Sequence, residues 1–341
     1  MPWWEPHRHA DRRPLLALRG RIKARIRGFF ESEGFSEVEC GILAASPGNE
    51  AHLHAFETEN QLPDGSRRTL YLHTSPEFAA KKLLAAGEEK IFEFARVFRN
   101  REHGRLHAPE FTMLEWYRAG AEYGTVVADT LSLLRLAAET AGRKLTWLER
   151  CCDAFAEPEW LTVEQAFRHY AGIELLDTLS PEGVGVRDIL ATRAKRAGFQ
   201  IADDDGWSDI FSKVLAARVE PRLGLERPTI LYEYPRAEAA LARPKPGDPK
   251  VAERFELYAC GVELANGFGE LTDVAEQRAR FIAEMDEKER VHGTRYPLDE
   301  DFLAALAGMP PASGVALGFD RLVVLASGAP NIDSVIWTPL D

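Results

Sequence analysis

The spacing of apolar positions predicts how helices and strands follow one another along this chain. Apolar residues recur at steps of three and four from Leu15 to Phe29, which predicts a helix that begins near Pro14 and ends at Gly34. Strands are predicted at 35–39, 70–73, 90–100 and 110–117. Residues 74–77 combine hydroxyl groups, a proline and an acid in the order typical of a helix start, so a second helix is predicted there.

The middle of the chain differs, because helical spacing dominates from about residue 119 to residue 227. Helices are predicted there at 126–140, 162–170 and 187–197. Strands return at 229–232 and 254–266, followed by helices at 273–290 and 299–306 and a strand–helix unit at 314–327. We therefore predict an α+β fold in one domain, residues 1–341: an antiparallel sheet flanked by helices, with a helical insertion at about 119–227.

Composition and charge narrow the classes of protein. The 341 residues are 45% apolar and 28% charged, without an apolar run or a leader typical of membrane or secreted proteins, and the four cysteines form no CxxC pair. We expect a cytoplasmic protein that does not bind a membrane.

The 54 acids and 42 bases give a net charge of −12, which disfavours binding to nucleic acid phosphates and suits a cationic ligand such as a diamine.

A predicted hairpin at 254–266 places two acids together. If residues 260–261 form a two-residue turn, Tyr258 pairs with Glu263, and Glu256 lies on the same face. Mg²⁺ carried in by ATP would offset the repulsion between the two carboxylates, whereas both acids could instead face solvent. The pattern leaves these two interpretations open.

The predicted strand at 110–117 carries an acid on an apolar face. Phe111, Glu115 and Tyr117 alternate on one side, and a buried acid among aromatic residues is costly unless a cation pairs with it. Glu115 is therefore a candidate for binding a substrate ammonium, with an exposed edge acid as the alternative. Arg99, at the end of the preceding strand, could clamp a phosphate or be structural.

A strand–helix junction at 313–321 offers a second arginine. Its glycines would let a flat ligand approach the backbone, and Arg321 in the first helical turn could then reach a polyphosphate, although a surface arginine beside a bulge has the same pattern. No P-loop and no GxGxxG after a strand is present, so a nucleotide would have to be held by side chains on a sheet.

Four segments together resemble a known family. They are FRN at 98–100 with HAPEFTMLEWY at 107–117, GVALGFDR at 314–321, GVELANGFGEL at 261–271 and TSPE at 74–77. The segments at 98–100 and 107–117 together resemble motif 2 of class II aminoacyl-tRNA synthetases, and the segment at 314–321 resembles motif 3. The segments at 261–271 and 74–77 match the lysyl branch of that class. The resemblance covers about residues 14–338. A helix start near residue 14 leaves no room for the anticodon-binding OB-fold, and such a core is similar to the elongation factor P–(R)-β-lysine ligase family.

The resemblance implies an ATP-dependent ligase that acts in two steps. (R)-β-lysine or lysine would be activated as an aminoacyl-adenylate, with Mg²⁺ as cofactor, and then transferred to a lysine side chain of elongation factor P. The resemblance also implies a homodimer and makes tRNA an improbable partner. Two alternatives stay open: a minimal lysyl-type enzyme that charges tRNA, and a non-catalytic paralogue that senses ATP or amino acid.

The resemblance also implies a role for each matching residue. Arg99 would contact the α-phosphate and Arg321 the γ-phosphate, as the catalytic residues. The nucleotide-binding residues would be Arg99, Asn100, Arg101, His107, Phe111 (stacked on adenine), Glu263, Leu264, Gly318 and Arg321. The metal ligands would be Glu256 and Glu263. The amino acid would contact Ser75, Pro76, Glu77, Glu115, Tyr117, Asn266, Glu270 and Ala316, and its terminal ammonium would lie at Glu115, Tyr117 and Glu270.

Four positions depart from the lysyl-tRNA synthetase pattern. Arg101 and Ala108 replace a glutamate and an asparagine of motif 2, which affects adenine recognition and motivates the non-catalytic alternative. Gly41 replaces the motif 1 proline, which affects the dimer interface. Ala316 replaces a glycine, and its methyl group should disfavour an α-amine relative to a β-amine by roughly 1–3 kcal/mol at most.

Overall fold

The computed structural model describes residues 2–340. In that range the chain forms two compact units: one holds the residues up to 122 together with those from 272 onward, and the other holds residues 123–271. The second unit starts close to the predicted start of the insertion but extends past residue 227, so it includes the 254–266 hairpin. No helix among the described residues is long and apolar enough to cross a bilayer.

The described residues contain nine α-helices. They are α1 (Pro6–Ser32), α2 (Glu77–Ala85), α3 (Tyr123–Ala141), α4 (Val163–Ala171), α5 (Arg187–Arg196), α6 (Trp207–Val214), α7 (Val274–His292), α8 (Glu300–Leu306) and α9 (Phe319–Ser327). Every helix that the spacing predicts is present, and α6 is additional.

Fourteen strands lie in the same described range. They are β1 (Ser36–Glu37), β2 (Leu43–Ala44), β3 (Phe56–Gln61), β4 (Arg67–Leu72), β5 (Lys90–Phe98), β6 (Glu110–Ala119), β7 (Leu145–Trp147), β8 (Arg150–Cys152), β9 (Glu159–Thr162), β10 (Thr229–Pro235), β11 (Pro244–Lys245), β12 (Asp248–Ala259), β13 (Val262–Gly269) and β14 (Ala312–Gly318). In the first unit β1, β5, β6 and β14 are neighbours in that order, and β2, β4 and β3 form a smaller sheet. In the second unit β13, β12, β10 and β9 are neighbours in that order, β11 pairs with β12, and β7 pairs with β8. Antiparallel pairs predominate in both units, so the predicted α+β class is confirmed.

Helix α1 begins at Pro6, well before the predicted start, and has Pro14 in its interior. The polar residues of its first turns give no apolar period, so the sequence pattern did not reveal them. Arg12 donates hydrogen bonds to the backbone carbonyls of Asp333 and Ile336, which ties these turns to the far end of the chain. The prediction of the helix start was wrong because this contact is tertiary.

The segment 119–227 also differs from a purely helical insertion, since it contains the short strands β7, β8 and β9. Each is too short for alternation to be visible in the sequence. The helices pack around a buried aromatic cluster, in which Phe167 of α4 stacks on Phe211 of α6 with ring centroids 5.0 Å apart. Thr162 and Gln165 form a capping box at the start of α4.

Candidate active site

Glu115 lies in the interior of the first unit's sheet, because β6 runs between β5 and β14. The residue is 2% exposed and accepts hydrogen bonds from Ser75 Oγ at 2.6 Å and from Tyr117 Oη at 2.7 Å. Burial, together with the nearby Glu77 carboxylate, raises the pKa of Glu115 to about 8. The alternative of an exposed edge acid is therefore excluded.

The predicted helix start at 74–77 places polar groups beside Glu115. Ser75 Oγ accepts the Glu77 amide at 3.0 Å while it donates to Glu115, and Pro76 is the N-cap of α2. Glu77, in the first turn of α2, accepts a hydrogen bond from Lys81 Nζ at 2.5 Å. One short segment thus supplies a hydroxyl, a second acid and the start of a helix at this pocket.

Ala316 is the direct partner of Glu115 across the β14–β6 pair. Cross-strand partners share a face of the sheet, so the methyl group lies on the same side as the Glu115 side chain. Ala316 is half-buried and packs with Ala95, Val97 and Met113. The position predicted to bias substrate choice therefore lies next to the buried acid.

Arg99 and Phe111 form a neighbouring pair in the first unit. The Arg99 guanidinium lies 5.4 Å from the centroid of the Phe111 ring, and its Nε donates to the Thr74 carbonyl at 3.4 Å. Glu102 Oε1 lies 3.8 Å from Arg99 Nη1, a long ion pair. A cation over an aromatic face can hold an anion and a flat ring close together, which suits a nucleotide.

Arg321 lies in the first turn of α9, directly after β14. Its Nη2 is 2.7 Å from His107 Nε2, and its Nε donates to the Leu106 carbonyl at 3.3 Å. Partial desolvation of the ring and the Arg321 charge lower the pKa of His107, so the neutral ring accepts this hydrogen bond. A Cβ at Gly318 would lie 3.4 Å from the Arg321 side chain, an ordinary van der Waals contact, so Gly318 lies directly beside the arginine.

The motif 2 loop around Arg101 adopts an unusual backbone. Arg101 has φ of +67°, which is left-handed, and its amide donates to Asn100 Oδ1 at 2.9 Å. Asn100 in turn donates its amide to the His54 carbonyl at 2.6 Å, and Arg101 Nη1 lies 3.5 Å from His54 Nε2. Both residues thus organise the loop against residue 54, and their predicted contact with a nucleotide stays a prediction.

Two acids that the sequence did not single out belong to this unit's polar framework. Asp320 accepts the Thr112 amide at 2.7 Å and forms a buried ion pair with Arg19, which fixes the start of α9 against β6 and α1. Glu93 of β5 pairs directly with Glu115 of β6. Asp320 lies in the motif 3 segment, so the sequence contains a signal for it. Glu93 can be identified only from the register of β5 and β6.

In the second unit, β12 and β13 form the predicted hairpin. Cys260 and Gly261 make a two-residue turn with φ of +57° and +72°. Both values are positive, as a type I′ turn requires. Tyr258 pairs with Glu263, so the register predicted next to the turn is confirmed.

Beyond this first pair the hairpin contains a bulge that the sequence did not predict. Leu257 pairs with Ala265, so Leu264 is an extra residue in β13. The shift brings Asn266 opposite Glu256, where an unbroken register would have placed Ala265. The bulge therefore adds an amide group to the face that carries the acids.

Glu256 is 5% exposed, which excludes the alternative that this acid faces solvent. It accepts hydrogen bonds from Arg254 Nη2 at 2.7 Å and Tyr258 Oη at 2.6 Å. Oδ1 of Asn266 is buried without a hydrogen-bond partner, and Glu263 is half-buried on the same face. Mg²⁺ prefers oxygen ligands such as carboxylates and amide carbonyls, so the oxygens of Glu256, Glu263 and Asn266 are of a kind that fits this ion.

The described side chains do not by themselves complete a metal site. No cluster of three or more His, Cys, Asp or Glu residues between 2 and 340 could hold an ion. Mg²⁺ commonly binds one or two carboxylates together with substrate phosphates and water. The hairpin acids therefore suit an ion that arrives with a nucleotide.

Two further predicted contacts lie in the same hairpin region. Glu270 follows β13, is 1% exposed and forms an isolated antiparallel bridge with Ala242. Leu264, the bulged residue, is 2% exposed. Their roles toward an ammonium and a nucleotide remain predictions.

Comparison with known proteins agrees with this fold. The family model of class II tRNA synthetases (D, K and N) matches residues 5–341, so the chain belongs to the class II synthetase family. Proteins named elongation factor P–(R)-β-lysine ligase are similar over nearly the whole chain. One from Haemophilus influenzae (strain PittGG) is 41% identical, covering 99% of this chain and 98% of that protein. Those from Proteus mirabilis (42%; 95% and 94%) and Vibrio cholerae (38%; 95% and 94%) are comparably similar, and the resemblance inferred from the sequence motifs is confirmed.

Proposed function

We propose that this protein is an ATP-dependent ligase that activates (R)-β-lysine, or lysine, and transfers it to a lysine side chain of elongation factor P. Membership of the class II synthetase family supports ATP-dependent activation of an amino acid, and the names of its relatives support the acceptor. The observation that carries the substrate assignment is the buried Glu115 carboxyl beside a second acid, Glu77.

The pocket chemistry suits the terminal ammonium of a lysine. A buried carboxyl with a raised pKa regains its charge when a cation lies within about 4–6 Å. Ser75 and Tyr117 hold both oxygens of Glu115 in place, so the carboxylate would be oriented before an ammonium arrives.

In the first step the substrate carboxylate would attack the α-phosphorus of ATP, and pyrophosphate would leave. Arg99 and Arg321 would neutralise the phosphate charge and align the reacting atoms, which is most of what this chemistry needs. His107 holds Arg321 as a neutral acceptor and so leaves the arginine its full charge. Glu256 and Glu263 would hold Mg²⁺, which would supply Lewis-acid polarisation of a phosphate oxygen when bound.

In the second step a neutral lysine amine of elongation factor P would attack the acyl carbon of the adenylate. AMP would leave with the bonding electrons of the acyl–oxygen bond, and the amine proton would pass to solvent. The homodimer and the cytoplasmic location predicted from the sequence stay predictions.

A mass measurement tests this function. The protein is incubated with ATP, purified elongation factor P and either (R)-β-lysine or lysine, and the intact factor is weighed. We expect a gain equal to one lysyl group, and pyrophosphate exchange with amino acid and ATP in the absence of tRNA. Exchange that strictly requires tRNA would favour the tRNA-charging alternative, and no pyrophosphate release with any substrate would favour the non-catalytic one.

A further inference from the structure

Glu93 stands directly opposite Glu115 in the β5–β6 pair. Side chains at such positions point to the same face with Cβ atoms about 4.5–5.5 Å apart, and like charges there are destabilising. Glu93 is therefore close enough to Glu115 for the charge of one carboxyl to affect the other.

The two oxygens of Glu93 have different surroundings. Oε1 accepts the Cys40 amide at 3.1 Å, whereas Oε2 is buried without a hydrogen-bond partner. A buried anionic oxygen without a donor is costly, so this side of Glu93 favours a proton or a cation. Burial also raises the pKa of Glu93, against the effect of the Cys40 hydrogen bonds.

Several polar and titratable groups on neighbouring elements lie around this carboxyl pair. They are Ser75, Glu77 and Lys81 from α2 and the residues before it, Glu37, Glu39 and Cys40 from β1 and the segment after it, and Tyr117 from β6. Glu37 is itself paired with Arg27 of α1 at 2.7 Å. Three further acids thus surround the pair, and two of them, Glu37 and Glu77, have a basic partner of their own.

We propose that Glu93 is a positioning residue for the amino-acid substrate: with Glu115 it forms a carboxyl pair that shares one proton in the free protein and exchanges it for the substrate's terminal ammonium. The inference rests on the proposed function, because it takes Glu115 as the ammonium ligand. When the ammonium binds, the shared proton leaves to solvent, and both carboxylates then face one cation. A substrate whose side chain is as long as that of lysine but carries no charge cannot displace the shared proton. The carboxyl pair would therefore select against such a substrate.

Proton release on binding is the direct readout. Calorimetric titration with a non-hydrolysable lysyl-sulfamate analogue of the adenylate, in two buffers of different ionisation enthalpy, counts the protons released at pH 7. We expect about one proton for the wild type, because the proposed pair holds one proton in the free protein and none beside the bound ammonium. Glu93→Gln should release about half a proton or less, because Glu115 loses its charged neighbour and ionises at lower pH.

Two matched variants separate charge from structure. Glu110→Gln changes an acid of β6 that pairs with Arg96 at 2.6 Å, away from Glu115, and should release as many protons as the wild type. Glu93→Asp keeps the charge and should retain most of the release. In pyrophosphate exchange, the pH at which the KM for lysine changes should be about one unit lower for Glu93→Gln than for the wild type. The KM for ATP should be the same in both.

The outcomes are distinguishable. Equal proton release by wild type, Glu93→Gln and Glu110→Gln would overturn the role of Glu93, as would a wild type that binds the analogue without releasing a proton. The second result needs no variant, so it applies even if Glu93→Gln does not fold. If the wild type shows no exchange with either lysine isomer in the absence of tRNA, the proposed function itself fails.

Discussion

Each unit buries a glutamate in its sheet, but the two side chains are held by different partners. Glu256 is held by the Arg254 guanidinium and a tyrosine hydroxyl, whereas Glu115 is held by two hydroxyls and has Glu93 directly opposite. A guanidinium stabilises the charged form of a buried acid, while a second acid opposes it. Burial alone therefore does not identify a ligand-binding acid: Glu256 already has a guanidinium beside it, whereas Glu115 has a second acid directly opposite.

The largest effect should come from removing the charge of Glu256. Glu256→Gln leaves the Arg254 guanidinium without its acid, and breaking such a mostly buried pair costs about 3 kcal/mol of the free energy of unfolding. Urea denaturation at pH 7 measures this loss in the free energy of unfolding. Glu115→Gln is the matched control and should lose little or no stability, so equal losses in both variants would remove the contrast.

The pH dependence of stability should show the same contrast. The pKa of Glu115 is raised to about 8, so the folded protein holds this proton more tightly than the unfolded chain does. The resulting stability is complete below pH about 4.5 and is lost as the pH rises through about 8. Between pH 5 and 8 the ligand-free wild type should lose about 2 kcal/mol or more relative to Glu115→Gln, measured by urea denaturation. Parallel pH profiles would contradict the raised pKa.

Glu115→Gln should also weaken substrate binding selectively. Loss of a charge-assisted contact to an ammonium is worth about 1.5–3 kcal/mol, so the KM for lysine in pyrophosphate exchange should rise about 10- to 100-fold. The KM for ATP serves as the internal control and should stay within about twofold. A rise in both constants would mean that Glu115 supports the fold of the site as a whole.

The smallest effect should come from Ala316, the cross-strand partner of Glu115. Ala316→Gly removes one methyl group and should raise kcat/KM for lysine relative to (R)-β-lysine about 5- to 10-fold. Parallel exchange assays with the two isomers measure this ratio. An unchanged ratio would show that the isomer preference lies elsewhere.

The sequence predicted features that local rules determine. A two-residue turn defines the pair Tyr258–Glu263, and a capping box defines the start of α4, and both are present. The four quoted segments were sufficient to predict the family. An acid that interrupts an apolar strand face makes Glu115 a candidate ammonium ligand, and the burial of Glu115 agrees with that interpretation.

Features that depend on distant contacts were not predictable in this way. The bulge at Leu264, which brings Asn266 opposite Glu256, has no local sequence signal. Glu93 lies across from Glu115 only in the register that β5 and β6 adopt over a long intervening loop. Predicting either feature requires the register in which the two strands pair, and apolar spacing alone does not determine that register.

The most direct test of the ammonium pocket is ATP–pyrophosphate exchange without tRNA, measured in parallel with (R)-β-lysine, lysine and norleucine. Norleucine has the carbon chain of lysine but no terminal amine. We predict exchange with a lysine isomer and at least about 100-fold less with norleucine, because a site built for a charged group rejects an analogue without it. Comparable exchange with norleucine would contradict the account.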